Sequence, residues 1–218
     1  MQGAGIGTDW GIPIDSTEVD PVWETATGLD VPIFMHPAPC GIDGPSGDPG
    51  LRRFELDVVV GFNLESTVAV STLVFGGVLS RHPTLDVCFP SGGGAVPFVA
   101  GRLAAATVAP RPWVDESLRR KGALNEALQQ LWFDTHVHDD GALRLLREHV
   151  GDDRLVFGTV CRGHHPCNAE PDRCRPLRFG CVRSVAPWSE VVLSVRASRA
   201  QPCVAIFKSS HLLFEKLC

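Results

Sequence analysis

The sequence predicts an α/β protein with a parallel sheet, because strand-like and helix-like segments alternate along the chain. Short apolar runs such as residues 31–36 and 85–89 are typical of strands that are buried on both faces. Between these runs, the apolar residues of segment 65–79 recur at three- and four-residue steps, which is the spacing of one helical face. Such an alternation indicates strands that are joined by crossover helices.

The first part of the chain predicts two strands and one helix. The small residues of segment 3–8 suit a buried strand, and a helix is expected over residues 20–28, with Asp20 as its capping acceptor. The next strand spans residues 31–36. Residues 39–58 are rich in proline and glycine, so we expect a loop there.

The central part of the chain contains the position at which a functional site is expected. The helix over residues 65–79 is closed by Pro83, and the buried strand 85–89 runs into the Ser-Gly-Gly-Gly turn at residues 91–94, which opens another helix. Three consecutive glycines let the backbone turn sharply. In α/β folds the carboxyl ends of parallel strands usually hold the chemistry, so a site is expected at this turn.

The last part of the regular pattern predicts two more strands. A surface helix with a glycine interruption is expected over residues 115–130, followed by a strand over 131–138. Asp139 and Asp140 suit the cap of the next helix, and residues 155–159 suit a fifth buried strand.

Composition excludes some classes of function and divides the chain in two. The net charge of −5, with 21% charged residues, does not indicate a nucleic-acid partner or a polybasic membrane surface. Residues 1–160 hold 21 acidic and 11 basic side chains, whereas residues 161–218 hold 4 acidic and 9 basic ones and six of the eight cysteines. The two parts therefore differ in composition as if they had different origins.

The sequence predicts a cytoplasmic protein. The start of the chain lacks a basic region followed by an apolar one, and no apolar run reaches the roughly 18 residues of a membrane span. Cysteines in that compartment normally stay reduced, so the eight cysteines are not interpreted as a disulfide framework.

Three runs of sequence carry a resemblance to a known family: PVWETATGLDVPIFMHP, GGVLSRHPTLDVCFPSGGGAVPFVAGRL and WFDTHVHDDGALRLLREHVGDDRLVFGT. They are similar to the amidohydrolase-related decarboxylases typified by aminocarboxymuconate-semialdehyde decarboxylase, and the similarity covers residues 3–159. The resemblance implies a metal-dependent (β/α)8 barrel. The segments present here are similar to the second half of such a barrel. The length of 218 residues also falls short of the roughly 250 of a complete barrel, so we expect a partial one.

The resemblance also implies a set of metal ligands. The family uses a histidine-x-histidine pair, a third histidine and an aspartate for zinc or a similar divalent ion. The first pair has no counterpart here, His36 matches the third histidine, and Val160 occupies the position of the aspartate. One imidazole gives too little coordination for a stable site, so the chain by itself is not expected to hold zinc.

Two further positions concern the substrate, which the resemblance implies is a small carboxylate. Ser91 replaces the histidine that the family uses as its general acid/base before the three glycines. Arg102 matches the arginine that binds the substrate carboxylate, in part across a subunit boundary, and a guanidinium suits that role. Ala38 stands where the family often has an aromatic residue.

His136 and His138 are spaced to face the same side of a predicted strand, which is a pattern that metal sites also show. Only His138 has a counterpart in the family. We therefore favour a histidine at the end of the strand that caps the following turn.

The segment 160–218 is predicted to be unrelated to the rest of the chain and poorly ordered. It contains cysteines and histidines at short spacing, which suit zinc, but the spacing fits no zinc-finger pattern: Cys161, His164, His165, Cys167, Cys174 and Cys181. The hypothesis that explains more is translation of a retained intron or of a shifted reading frame, because the resemblance ends where Val160 begins.

The functional prediction follows from these losses. The intact relatives would remove carbon dioxide from a carboxylated semialdehyde or an aromatic acid, whereas this chain is expected to show little or no turnover. One alternative is a non-catalytic subunit that pairs with a complete paralogue in a homo- or hetero-oligomer and offers Arg102 across the interface. Another is that no functional protein forms, because unpaired sheet edges favour aggregation.

Overall fold

The computed structural model of the chain describes residues 3–8, 10–37, 49–108, 111–156, 158, 192–196 and 202–206. Within these ranges there are two sheets, one with five strands and one with two.

The five-stranded sheet is parallel throughout. Its strands are β1 (Ala4–Gly7), β2 (Ile33–His36), β3 (Val87–Phe89), β4 (Trp132–Asp134) and β5 (Leu155–Val156). They lie in the order in which they occur in the chain, and each pairs in parallel with its neighbours. A parallel sheet in which every strand lies beside its predecessor is the arrangement of a (β/α)8 barrel. The predicted α/β fold, a partial barrel, is therefore confirmed.

Helices connect these strands. They are α1 (Asp20–Gly28), α2 (Phe62–Phe75), α3 (Val78–Arg81), α4 (Val96–Val108), α5 (Ala123–Leu128) and α6 (Asp140–Val150). A π-helical turn, Asp57–Gly61, leads into α2, and single 3₁₀ turns occur at Pro49–Arg52, Ser91–Gly93, Glu116–Leu118 and Asp152–Arg154.

The hydrophobic core lies between the sheet and the inner faces of the helices. Its completely buried side chains include Trp23 on α1, Met35 on β2, Leu73 on α2, Phe133 on β4 and Leu146 on α6. Burial of one such large apolar side chain contributes about 1.5–3 kcal/mol. The sheet and the helices contribute to one hydrophobic cluster. The carboxyl ends of the strands are therefore supported by a common core.

The helix predicted over residues 65–79 is wrong at both ends. Helical backbone already begins at Asp57, inside the predicted loop 39–58, and α2 ends at Phe75. Gly77 then adopts a φ of 71°, a left-handed conformation that stops the helix before α3 begins.

The helix predicted over residues 115–130 is two short pieces. A 3₁₀ turn, Glu116–Leu118, is capped by Asp115, whose Oδ1 accepts the backbone N–H of Ser117 at 2.9 Å. Gly122 has a φ of 85°, so the regular helix begins only at Ala123.

Asp20 does not cap α1, in contrast to the prediction. The capping position is Val19, and Asp20 is the first helical residue. Its Oδ1 instead accepts hydrogen bonds from Arg81 Nη2 and His82 Nε2, each at 3.1 Å. These bonds, with the His82 bond contributing most, hold the pKa of Asp20 below its usual range. The carboxylate therefore joins α1 to the end of α3.

The helical stretch Asp57–Phe75 has the length and composition of a membrane span, at 19 residues. Within the described chain, however, its Val70 and Leu73 are completely buried in the core, whereas Leu64 and Val68 are exposed. A core helix of a globular protein can pass the same test of length and composition, so this stretch is weak evidence for a membrane partner.

Two strands are described in the segment after residue 160. β6 (Val192–Arg196) and β7 (Pro202–Ile206) form an antiparallel pair, with Val192 opposite Ile206. The predicted zinc ligands of this segment lie outside the described residues: Cys161, His164, His165, Cys167, Cys174 and Cys181.

Candidate functional site

The carboxyl ends of β2, β3 and β4 place three polar positions at the same edge of the sheet. These strands are parallel neighbours. His36 is the last residue of β2, Ser91 begins the turn two residues after β3, and Asp134 is the last residue of β4. Because parallel strands end at a common edge, this is the edge at which barrel enzymes place their chemistry.

His36 has the tautomer that a metal ligand needs. Its Nδ1 lies 2.7 Å from the carbonyl oxygen of Pro37. A carbonyl only accepts, so Nδ1 carries the proton and donates it to this bond, which leaves the lone pair of Nε2 available. The side chain is exposed, and its ring lies edge-on to Phe62, with the centroids 5.8 Å apart. The prediction that His36 occupies a ligand position agrees with this orientation and stays a prediction.

The glycine turn after β3 has backbone angles that explain its sequence. Gly92, Gly93 and Gly94 have φ values of 61°, 74° and 69°. A Cβ at Gly94 would lie 2.0 Å from the backbone oxygen of Asn63 on α2. No side chain fits there, so the close approach of the turn to α2 requires glycine. Ser91 shares the left-handed conformation, with a φ of 51°.

Asp134 was missed by the sequence analysis and is the buried charge of this edge. Its Oδ1 accepts the backbone N–H groups of Gly92 at 3.2 Å and of His136 at 3.1 Å. Burial raises the pKa of Asp134 to about 6, although these bonds and one from the Ser91 backbone act in the opposite direction. The free thiol of Cys88 is buried nearby on β3, and burial raises the pKa of that thiol well above its usual range.

A signal for Asp134 was present in the sequence. An aspartate directly after a buried apolar strand, as in Trp132-Phe133-Asp134, is placed at the carboxyl edge of a parallel sheet. Its burial and its bond to the glycine turn depend on contacts between segments 42 residues apart, which the local pattern does not show.

Arg102 is not brought to this edge by contacts that the structure describes. It is exposed on α4, seven residues after Ala95, which is the last residue of the glycine turn. Phe98, four residues earlier on the same helix, is 85% exposed. Positions four apart share one helical face, so Arg102 and Phe98 form an exposed basic and aromatic surface on α4.

His136 and His138 do not lie on a strand, in contrast to the prediction, because β4 ends at Asp134. The two rings nevertheless meet, with Nε2 of His136 and Nε2 of His138 3.0 Å apart and the ring centroids 4.1 Å apart. The cap of α6 comes from Asp139, whose Oδ1 accepts the N–H of Ala142 at 2.7 Å, and not from His138.

The described residues do not fit a complete divalent metal site. They contain no group of three or more histidine, cysteine, aspartate or glutamate side chains that could hold an ion together. Val160, the residue at the predicted aspartate position, and Ala38 lie outside the described residues. His36 is thus the one described residue at a predicted ligand position.

Sequence comparison decides the family of this fold. The family described as Amidohydrolase matches residues 3–159. The chain belongs to the amidohydrolase family. The match ends where the resemblance was predicted to end.

The proteins that this chain resembles include decarboxylases. The chain is 31% identical over 160 residues to 2-amino-3-carboxymuconate-6-semialdehyde decarboxylase of Dictyostelium discoideum. The aligned region covers 73% of this chain and 43% of that protein. The crystal structure of IDCase from Metarhizium anisopliae in apo form has a TM-score of 0.61 at 26% identity, covering 78% of this chain and 46% of that one. The predicted resemblance to decarboxylases of the family is confirmed.

A third relative contains a metal. The structure of 5-carboxyvanillate decarboxylase from Novosphingobium aromaticivorans, complexed with manganese and 4-hydroxy-3-methoxy-5-nitrobenzoic acid, has a TM-score of 0.58 at 20% identity. It covers 70% of this chain and 44% of that one, and the likeness shows the shared fold. The divalent ion in this relative is manganese, so the prediction of zinc in particular is not supported by it. This chain spans less than half the length of each of these three proteins.

Proposed function

We propose that this chain derives from a metal-dependent carboxy-lyase and that it does not itself catalyse turnover. The substrate class of the parent activity is a carboxylated semialdehyde or an aromatic acid. One relative is a decarboxylase of a carboxylated semialdehyde, and another binds a substituted benzoic acid. These properties of the relatives support the class of substrate and leave its identity open.

The observation that carries the proposal is Ser91 in the glycine turn. Imidazole takes and gives a proton near neutral pH, whereas a serine hydroxyl does so only when a neighbouring base activates it. Among the described residues, no imidazole or carboxylate is hydrogen-bonded to the Ser91 hydroxyl. Val160 likewise offers no lone pair to a metal.

His36 is the residue that would contact a divalent ion at this edge, through Nε2. A bound ion of this kind supplies a Lewis acid for a substrate oxygen. The described residues offer it no further ligands as a group. No catalytic step through a metal is therefore assigned to this chain, and zinc in particular is not expected to be retained at His36.

A turnover assay tests the proposal. The purified chain is incubated with Mn²⁺ or Zn²⁺ and with 2-amino-3-carboxymuconate-6-semialdehyde or 5-carboxyvanillate, and release of carbon dioxide is followed. The D. discoideum decarboxylase serves as the positive control. We expect the rate of the chain to equal that of the metal ion alone. A rate above that background that requires the protein would overturn the proposal.

A second candidate function is that of a non-catalytic subunit, which the exposed surface of α4 favours. Phe98 is 85% exposed, and Arg102 lies on the same face. Interfaces are enriched in exposed aromatic and arginine side chains of this kind. In this function Arg102 would reach a carboxylate that is bound in a complete paralogue of the family.

Co-expression with a complete decarboxylase of the family tests this second function. We expect a mixed oligomer on size-exclusion chromatography with light scattering, and we expect Phe98→Asp to abolish it. Glu148→Gln, a change on the exposed part of α6, is the matched control and should leave the complex intact. If only the separate proteins elute, the subunit function is wrong.

Other predictions from the sequence have not been tested. They are a cytoplasmic location, a foreign origin of segment 160–218, and aggregation as the fate of a chain with open sheet edges. Within the described residues, β1 and β5 each pair on one side only. Insoluble product would favour aggregation.

A further inference from the structure

The segment after β4 brings two imidazole rings together at positions that are not predicted metal ligands of the family. Nε2 of His136 and Nε2 of His138 are 3.0 Å apart, and the ring planes are inclined by 68°. Two neutral imidazoles at this distance are either joined by one proton or able to share one cation. If both nitrogens bind a divalent ion at about 2.0–2.1 Å with an angle between 90° and the tetrahedral value, they lie about 2.9–3.4 Å apart. The observed separation falls within that range.

The backbone holds this pair from both sides. On one side the N–H of His136 donates to the buried carboxylate of Asp134 at 3.1 Å. On the other, Asp139 caps α6 through Ala142 at 2.7 Å. His138 has a φ of 55°, a left-handed conformation that few non-glycine residues adopt. The short segment between the two anchors therefore sets the rings in their mutual position before any ligand binds.

The pKa of His136 also suits a cation. Burial lowers the pKa of His136, and neighbouring His138 lowers it further, which favours the neutral ring. Neutral imidazole is the form that binds metal.

We propose that His136 and His138 form a two-imidazole chelate for a divalent transition-metal ion of the Zn²⁺, Ni²⁺ and Cu²⁺ class. Water fills the remaining positions, because no third histidine, cysteine, aspartate or glutamate among the described residues joins the pair. Imidazole ligands favour these ions over Mg²⁺ or Ca²⁺. The site is separate from His36 and does not depend on decarboxylation.

Calorimetric titration of the full chain with Zn²⁺ tests the site. Accessible thiols are first alkylated with iodoacetamide, so that thiolates do not compete for the ion. We expect His136→Gln and His138→Gln each to weaken the binding by at least about tenfold, or about 1.4 kcal/mol. The control is His149→Gln on α6, which removes a partly buried histidine of the same region and should leave the affinity unchanged.

A second measurement assigns the ion to these rings and guards against variants that fail to fold. In the wild-type chain, the imidazole ¹⁵N resonances of His136 and His138 should both shift on addition of Zn²⁺, in a Nε2-specific pattern. Thermal unfolding in EDTA should be similar for the wild type and the two variants. Absence of saturable binding, or binding that both variants retain, would overturn the proposal; retained binding would assign the ion to another part of the chain, such as His164 and His165.

Discussion

Asp134 Oδ1 accepts the backbone N–H of Gly92 at 3.2 Å, between residues that are 42 positions apart in the sequence. The bond joins the end of β4 to the glycine turn that follows β3. Because the carboxyl group is buried, its ionisation is costly, and burial raises the pKa of Asp134 to about 6. The same residue therefore positions the candidate site and makes stability depend on pH.

Stability should fall as the pH rises through the range in which Asp134 ionises. The carboxyl group has a pKa of about 6 in the folded chain, against about 3.9 when unfolded. Between these values the folded chain binds more protons than the unfolded one, so the contribution is fully present below about pH 4 and is lost above about pH 6. The difference amounts to about 3 kcal/mol. Urea unfolding between pH 4 and pH 7 measures it.

Asp134→Asn removes this titration, because the amide stays neutral. We expect the slope of unfolding free energy against pH to become flatter between pH 4 and pH 6, while Asp153→Asn, which changes an exposed carboxylate, leaves the slope unchanged. Cys88 and His136 are the titratable neighbours of Asp134. The Cys88 thiol stays neutral in this range because burial raises its pKa, whereas the lowered pKa of His136 makes stability fall as the pH drops, which is the opposite direction. His136 is present in both proteins, so the difference between their slopes reports Asp134. An unchanged slope in Asp134→Asn would show that the buried carboxyl group does not titrate there.

Gly94→Ala should destabilise the fold strongly. The new Cβ would lie 2.0 Å from the backbone oxygen of Asn63, at a φ of 69°. The left-handed conformation alone costs about 1–3 kcal/mol, and the clash with backbone adds to it. Gly101→Ala is the matched control, since no atom lies within 4 Å of its new Cβ.

The control should stabilise the chain, because alanine is about 1 kcal/mol more favourable than glycine inside a helix. Thermal unfolding of the two variants compares them directly. Equal unfolding temperatures would contradict the close approach of the glycine turn to α2.

Leu73→Ala should cost about 2–5 kcal/mol, because the side chain is completely buried in the core beneath α2. Leu64→Ala on the same helix removes a side chain that is 54% exposed, and we expect a change within about 0.5 kcal/mol. Denaturant unfolding measures both. A large effect at Leu64 and none at Leu73 would mean that α2 presents its other face to the sheet, or to another surface.

Local patterns predicted the sheet better than the helices. Strands β2 and β3 were located by their apolar runs, and the carboxyl edge followed from their parallel order. The helix boundaries were wrong where a glycine takes a left-handed conformation, as at Gly77 and Gly122. A glycine permits that conformation but does not require it, so the sequence leaves open whether a helix continues or stops.

The candidate site was predicted in its positions and missed in its contacts. His36 and Ser91 were located because they end a strand and begin the glycine turn. Asp134 and the meeting of His136 with His138 depend on how β4 ends, and the strand was predicted four residues too long. Once the strand ends at Asp134, the two rings lie in an irregular segment whose geometry is set by tertiary contacts.

Release of carbon dioxide in the presence of Mn²⁺ should be compared between the wild-type chain and His36→Asn. We have proposed that Ser91 and Val160 remove the chemistry of the carboxyl edge of the sheet, although the fold and His36 remain. We expect both proteins to release carbon dioxide at the rate of the ion alone. A Mn²⁺-dependent rate in the wild type that His36→Asn abolishes would show that this edge is still catalytic.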